Sequence, residues 1–306
     1  MIQLIYFIFL TYGALTNSSF AFGAVEKSDC TEIDLRKSSC LPPSKNQSDT
    51  GWCYAYAAAD MVSYHFCQEI SPAALGLMAS EVKKKPGEFW VHGGWQDEAI
   101  NLGNEHGFCL EKDLPSQLII NDKTMGLRRA YLNLINREKR LATKSDCDKT
   151  ISDIRQVLPL ANIIDIIKFI QDGQKAEELF ALARSSCRNN INEKVSVDTC
   201  DGDGVNRLKF VNQYLESGPV SLGLVPSDEN KIRVFSLPDG HAYSLIGRKW
   251  NSAKNRCDFL VHDSTGPYSI GSITVGADFQ PNRWVSQEEL MTVLNLPESK
   301  CFAIKK

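Results

Sequence analysis

No Cys-x-x-Cys pair and no His-x-x-x-His pair occurs in the sequence. The common spacings of a structural zinc site are therefore missing, and no metal or other cofactor is expected. There is no long run of charge of one sign, and the net charge is −3. Neither nucleic acid nor an anionic membrane surface is expected as a partner. Beyond the N-terminus no apolar stretch approaches the roughly 20 residues that a membrane-spanning helix needs. Internal repeats and low-complexity segments are absent too, which argues against solenoids and disordered arrays. What remains is an ordinary globular composition, 43% hydrophobic and 23% charged over 306 residues. That length suffices for one large domain or two modest lobes, each with its own core.

The N-terminus differs from the rest. Residues Ile2 to Leu15 are almost wholly apolar and uncharged. Thr16 to Ser19 and then Ala21-Phe22-Gly23 follow, with small residues at −3 and −1 of a cleavage point before Ala24. Residues 1–23 read as a signal peptide, although no Lys or Arg precedes the apolar run. The competing reading is a buried N-terminal strand or helix. Cysteine is plentiful: Cys30, Cys40, Cys53, Cys67, Cys109, Cys147, Cys187, Cys200, Cys257 and Cys301. Ten thiols fit an oxidising compartment, so a secreted or periplasmic, disulfide-bonded protein is expected. If Cys53 is kept free, at least one more cysteine is unpaired or intermolecular, and the connectivity is open.

The pattern along the chain is helical first and β-rich later. Residues 53–67 read as an Ala-rich helix small enough to lie at the centre of a fold. The stretch 116–190 repeats apolar residues at helical spacing, as in Leu127, Tyr131, Leu134 and Ile135, and in Leu160, Ile163, Ile164, Ile167 and Ile170. Residues Leu208 to Ser217 read as a helix ended by Gly218 as C-cap, with Pro219 unable to continue it. Val220 to Val225, Ala242 to Gly247 and Phe259 to His262 read as strands. This is an α+β layout with segregated halves.

The chemistry concentrates in Lys45 to Ala57. Gly51 allows a sharp turn into the helix that Cys53 begins, and a helix N-terminus favours a thiolate over a thiol. Gln47, in the preceding loop, could swing its amide back over the sulfur. With the Cys53 backbone N–H it could form a two-donor oxyanion hole. His241, followed by the small Ala242, suits a base or acid working on the thiol. Asp263, at the end of a strand, could accept the imidazole N–H and fix its tautomer.

These residues resemble the papain-like cysteine peptidases. The family's active-site stretch reads KNQ, a short loop, then G-x-C-[WY]-A-[FY], matched by Lys45-Asn46-Gln47 and by Gly51 to Tyr56. Gly240 to Gly247 resembles its His motif. Phe259 to Gly266 resembles its strand ending in N-S-W-G, with Asp263 in place of the Asn and Thr265 in place of the Trp. Gly93-Gly94 resembles the glycine pair that lines the family's cleft and bonds substrate backbone. Ser217 to Ser221 resembles its G-P-V-S strand start. Thr50 stands where the family usually has a Cys, so a family disulfide is absent. The separation of Cys53 and His241 exceeds the roughly 130–150 residues usual in the family. The surplus fits the 116–190 stretch as an enlarged helical insertion.

The resemblance implies a two-lobe fold in residues 24–306. A helical lobe would cover about 47–200, including the insertion at 116–190. A β-barrel-like lobe would be built from about 24–46 and 205–300. It implies a cysteine-type peptidase with Cys53, His241, Asp263 and Gln47 as catalytic residues and Gly93 and Gly94 as substrate-binding residues. Its partners would be a peptide or protein substrate and a separate inhibitor protein, since too few residues precede Cys53 to hold an inhibitory propeptide. A monomer is expected. Two alternatives stay open: a transglutaminase-like acyl transferase using the same triad, and a catalytically idle binding module. Of the other histidines, His262 reads as a surface or cross-strand residue and His65 as structural. His92 and His106 flank the glycine region as subsite candidates. Trp52 should pack beside the nucleophile loop, and Trp95 reads as core.

Overall fold

The computed structural model describes residues 26–47, 50–83, 93–120, 127, 144–172, 176–224, 241–264, 268–270, 273–275 and 282–305. The segment read as a signal peptide lies outside them, as do His92, Gly240, Thr265 and Gly266.

The fold combines helices with an antiparallel sheet. The central helix α1, Cys53–Phe66, buries almost its whole first two turns. Ala55, Ala57, Ala58 and Ala59 explain how it can. With side chains this small, neighbours approach the helix from every side, the pattern of a core helix rather than an amphipathic surface one. Around it pack α2, Pro72–Lys83, and α3, Gln96–His106. Pro72 suits the first helical position, where no N–H is needed. Outside these lie α4, Ser116–Ile120; α5, Lys144–Val157; α6, Ile163–Asp172; and α7, Ala176–Arg184. They account for the described part of the 116–190 stretch. An Arg184–Glu81 ion pair ties α7 to α2 at 2.8 Å.

A seven-stranded antiparallel sheet forms the other half. Its strands are β1, Ile33–Asp34; β2, Val197–Thr199; β3, Val220–Gly223; β4, Ala242–Asn251; β5, Arg256–His262; β8, Asn282–Ser286; and β9, Lys300–Ile304. The order is β2-β9-β3-β4-β5-β8, with β1 also paired to β4. A separate pair joins β6, Tyr268–Ile270, to β7, Ile273–Val275. Alternation along the strands gives the sheet two faces. Ala242 and Phe302 join the core around α1. Tyr243, Leu245, Cys301 and Ala303 turn the other way, onto α8, Gly204–Leu215, and α9, Gln287–Leu294. Gly247 sits where β1 crosses β4, and a Cβ there would lie 2.4 Å from the Ile33 carbonyl oxygen.

The helix expected to end at Gly218 stops earlier. Its C-cap is Glu216, and Gly218 does not take a positive φ. Gly218 instead sits close to the Tyr64 ring, which a Cβ there would meet tightly, at 3.0 Å.

Four disulfides join Cys30–Cys257, Cys40–Cys67, Cys109–Cys187 and Cys200–Cys301. Cys53 is a free, buried thiol, and the side chain of Cys147 lies outside the described residues. The Cys109–Cys187 bond closes the helical stretch at its base, across a sequence separation of 78. Replacing both by Ser should lower stability by about 2–4 kcal/mol, because the unfolded chain regains the freedom of that loop. Urea unfolding of the double variant against the wild type measures it. An unchanged midpoint would mean that the helices hold this base together without the bond.

Candidate active site

The turn before α1 is built to hold Cys53 in place. Gly51 has φ +68°, a conformation that favours glycine. Trp52 is completely buried, its ring seated against Gly76, where a Cβ would come within 2.4 Å of it. Thr50 is buried as well. Its hydroxyl donates to the Gln47 carbonyl at 2.8 Å and accepts from the Trp52 N–H at 3.3 Å. Two hydrogen bonds therefore tie the loop where the family carries a cysteine. Cys53 opens α1, so its backbone N–H has no partner within the helix.

The sheet supplies the other partners. His241 immediately precedes β4 and Asp263 immediately follows β5. The two strands pair antiparallel with Ser244 opposite His262, which brings their ends together. His241 Nε2 and Asp263 Oδ1 are 2.8 Å apart. A carboxylate only accepts, so Nε2 carries the hydrogen. The ring also hydrogen-bonds the Cys53 thiol. With Nε2 given to Asp263, that contact falls to Nδ1. The Leu224 N–H, donating to the His241 carbonyl at 2.9 Å, fixes the backbone behind the ring. Cys53, His241, Asp263 and Gln47 are 5%, 3%, 1% and 6% exposed, so the group works out of bulk water.

Gln47 is held from two sides. Its backbone N–H donates to the Ser264 carbonyl at 2.9 Å, and its side-chain Oε1 accepts from the Ser264 hydroxyl at 2.8 Å. Ser44 Oγ donates to the Asp263 carbonyl at 2.7 Å, completing the stitch between this loop and the end of β5. Orienting Oε1 toward Ser264 directs the amide Nε2 the other way. The sequence reading missed this role of Ser264, although the residue stands within the quoted motif. Nothing in its position along the chain says that it meets Gln47.

Gly93 donates its N–H to the Gly51 carbonyl at 2.9 Å, and Gly94 lies on the Tyr54 ring, where a Cβ would be 3.1 Å away. The glycine pair thus borders the Cys53 turn. Trp95 comes next. It is half-buried and packs against the edge of the core around α1, over Gly223, with Lys300 Nζ 4.2 Å above its ring. His65 and His106 are exposed. His262, read as a surface or cross-strand residue, is cross-strand but buried, its Nδ1 2.8 Å from Asn282 Oδ1. Its neighbours explain the difference, since α1 covers this face of the sheet. Among the described residues no group of three His, Cys, Asp or Glu could hold a metal ion, and no helix is long and apolar enough to cross a membrane.

Burial disfavours a charged His241, but the hydrogen bond and charge of Asp263, with the Cys53 contact, outweigh it. The ring pKa rises from 6.5 to about 10. Its folded-state proton affinity thus exceeds the unfolded one. The stability this provides is complete below about pH 6.5 and is lost as the pH rises through about 10. Proton-detected titration of the His241 ring should show it charged through pH 8, with the midpoint lowered markedly in Asp263→Asn. A wild-type midpoint near 6.5 would refute this electrostatic account.

No family model matches the chain, and no curated protein sequence matches it. Among solved structures, it is similar to the proform of Amb a 11, a ragweed pollen allergen and cysteine protease, with a TM-score of 0.48 and 12% identity. That likeness covers 89% of this chain, which spans 64% of the allergen proform's length. It is also similar to procathepsin L2 from the larval midgut of Tenebrio molitor, with a TM-score of 0.46, 12% identity, and coverage of 90% and 68%. The bromelain protease of Ananas comosus, solved with an inhibitor, gives the same TM-score and identity, with coverage of 90% and 98%. These neighbours are papain-like cysteine proteases.

Proposed function

We propose that the chain is a cysteine-type peptidase of papain type. The observation that carries this reading is the continuous contact from Cys53 through His241 to Asp263, with Gln47 clamped by Ser264 beside it. The quoted sequence motifs support it independently. An idle binding module would have no need of a free buried thiol hydrogen-bonded to a charged imidazole.

The geometry supports the following reaction. Cys53 Sγ attacks the scissile carbonyl carbon, and the C=O electron pair moves onto oxygen. That oxygen is held by the Cys53 N–H and the Gln47 amide. The imidazolium of His241 gives its Nδ1 proton to the amide nitrogen, the C–N bond breaks, and the amine departs. A thioester remains on Cys53. His241, now neutral, takes a proton from water as the water attacks the thioester. Collapse expels the sulfur and releases the acid. Asp263 holds the ring by Nε2 throughout and stabilises its charged form. Gly93 and Gly94 lack side chains, so an extended substrate could approach their backbone closely.

Substrates are peptides or proteins, and the proposed protein partner is a separate inhibitor. Eight cysteines in disulfides fit an oxidising compartment, so the working location is secreted or periplasmic, with residues 1–23 as export signal and the protein as a monomer. The carboxylate at Asp263 leaves one rival, acyl transfer to an amine. An added amine that captured the acyl group in preference to water would establish it.

A peptidyl epoxide that alkylates thiols should label the reduced wild type stoichiometrically, and should fail on Cys53→Ala and His241→Ala. A folded wild type that stays unlabelled would overturn the peptidase reading. In Gln47→Ala, kcat toward a peptide should fall on the order of 10²-fold or more, the usual effect of removing one oxyanion donor, with KM little changed. Loss confined to KM would place Gln47 in substrate binding instead.

A further inference from the structure

A second polar row runs beneath the candidate triad on the same three elements. Asp60 lies seven residues after Cys53 on α1. Seven residues are nearly two helical turns, so it returns to about the same face, roughly 10 Å along the axis. This is the face against the sheet. Asp60 Oδ2 accepts from Ser244 Oγ at 2.9 Å and lies 3.8 Å from His262 Nε2. Ser244 on β4 and His262 on β5 are direct cross-strand partners. His262 continues the row to Asn282 on β8. The triad uses the same strands, His241 three residues before Ser244 and Asp263 one after His262.

Asp60 is partly buried, with 15% of its side chain exposed, and a carboxylate so placed in a helix–sheet interface is costly unless its partners are fixed. Here they fix the interface in return. Apolar contacts between α1 and the sheet would tolerate small slides of the helix, but a bond to Ser244 and a facing imidazole would not. With Asn282 Oδ1 accepting from His262 Nδ1, Nε2 engages Asp60 favourably only when one proton lies between them. Four groups act on Asp60: Ser244 from β4, His262 from β5, Asp263 just beyond that strand, and Lys45 from the loop before α1; Tyr56 of α1 borders the same space. Burial raises the Asp60 pKa, His262, Ser244 and Lys45 lower it, and the like charge of Asp263 raises it again. A small, partly open space of about 10 Å³ borders Lys45, Tyr56, Asp60, His262 and Ser264, near the lower limit for holding one water.

We propose that Asp60, held by Ser244 and His262, is a positioning residue that sets how α1 lies on the sheet, and hence how Cys53 meets His241. The inference rests on the peptidase reading for its catalytic meaning. It can be read separately, from the reactivity of the thiol.

Asp60→Asn keeps the shape and an acceptor for Ser244 but removes the charge. The rate of Cys53 alkylation by iodoacetamide, followed at that residue by mass spectrometry, is measured against pH in wild type and variant. Losing a negative neighbour makes Asp263 easier to ionise and His241⁺ easier to deprotonate. Both limbs of the profile should therefore move to lower pH, by about half a unit or more. With a peptide substrate, kcat per titrated site should fall about tenfold, as misplacement of reacting groups predicts, with KM within about twofold. Ser244→Ala, which loses the bond and leaves every charge, should lower kcat severalfold without moving either limb. It also serves if Asp60→Asn does not fold. Unmoved limbs in a folded Asp60→Asn, or Ser244→Ala with wild-type kcat, would overturn the proposal and leave the row a structural feature only. If wild type cleaves no peptide but the alkylation limbs move as stated, the peptidase reading fails and the coupling stands.

Discussion

The arrangement depends on one buried contact, the 2.8 Å hydrogen bond between His241 and Asp263. Either group alone, placed where both are almost fully buried, would face a desolvation penalty of several kcal/mol. Together they are tolerable, provided that the strands bearing them are held in one register. A slip of one residue between β4 and β5 would turn one partner to the opposite face. The long ladder from Ser244–His262 to Asn251–Arg256 prevents that slip. The Cys30–Cys257 disulfide and the five hydrogen bonds of the Arg248 guanidinium anchor the N-terminal segment and α8 to the same two strands. Much of the second half of the chain can be understood as the support of this single pair.

The first half answers a different demand, which is to bring a thiol to that pair. A helix carrying Leu or Phe at its sheet-facing positions would stand too far off. The Ala-rich α1 instead lies close on a sheet face whose own residues there include Ala242 and Gly223. Close approach also creates the difficulty that the Asp60 row meets. Small residues on both sides leave little interlocking, so apolar packing alone specifies the helix position weakly. Polar contacts with fixed geometry specify it better, at some expense in stability.

The site was more legible in the sequence than its support. Cys53, His241 and Asp263 stand in local motifs whose glycines and small neighbours have local causes, and the strands around them carry an evident apolar pattern. Ser264 and Asp60 were not legible, because each acts through a partner about two hundred residues away in the sequence, and no periodicity encodes such a meeting. The cross-strand reading of His262 holds, and only its surface alternative fails, for a related reason. Alternation put it on the face opposite its neighbour, but alternation cannot say that a helix covers that face. The Gly218 misreading is of another kind. Glycine after a helix commonly signals a left-handed cap, whereas here it answers the Tyr64 ring.

Thr50 shows how far non-covalent contacts can stand in for a bond. A cysteine at this place, as in the papain-like peptidases that the motif resembles, would tether the Cys53 loop covalently, a constraint of about 2–4 kcal/mol on the unfolded chain. The two Thr50 hydrogen bonds, at about 1 kcal/mol each, do not equal that alone. Burial of the whole Trp52 ring against Gly76 adds roughly 4–6 kcal/mol, taking about 25 cal/mol for each Å² of the 150–250 Å² that such a ring covers. The Gly93 bond to Gly51 closes the turn from its far side. A loop held in this way is fixed only in the folded protein. Cys53 is therefore presented to His241 by the same packing that completes the helical core, and any change that loosens α2 beneath Trp52 should reach the thiol without touching it.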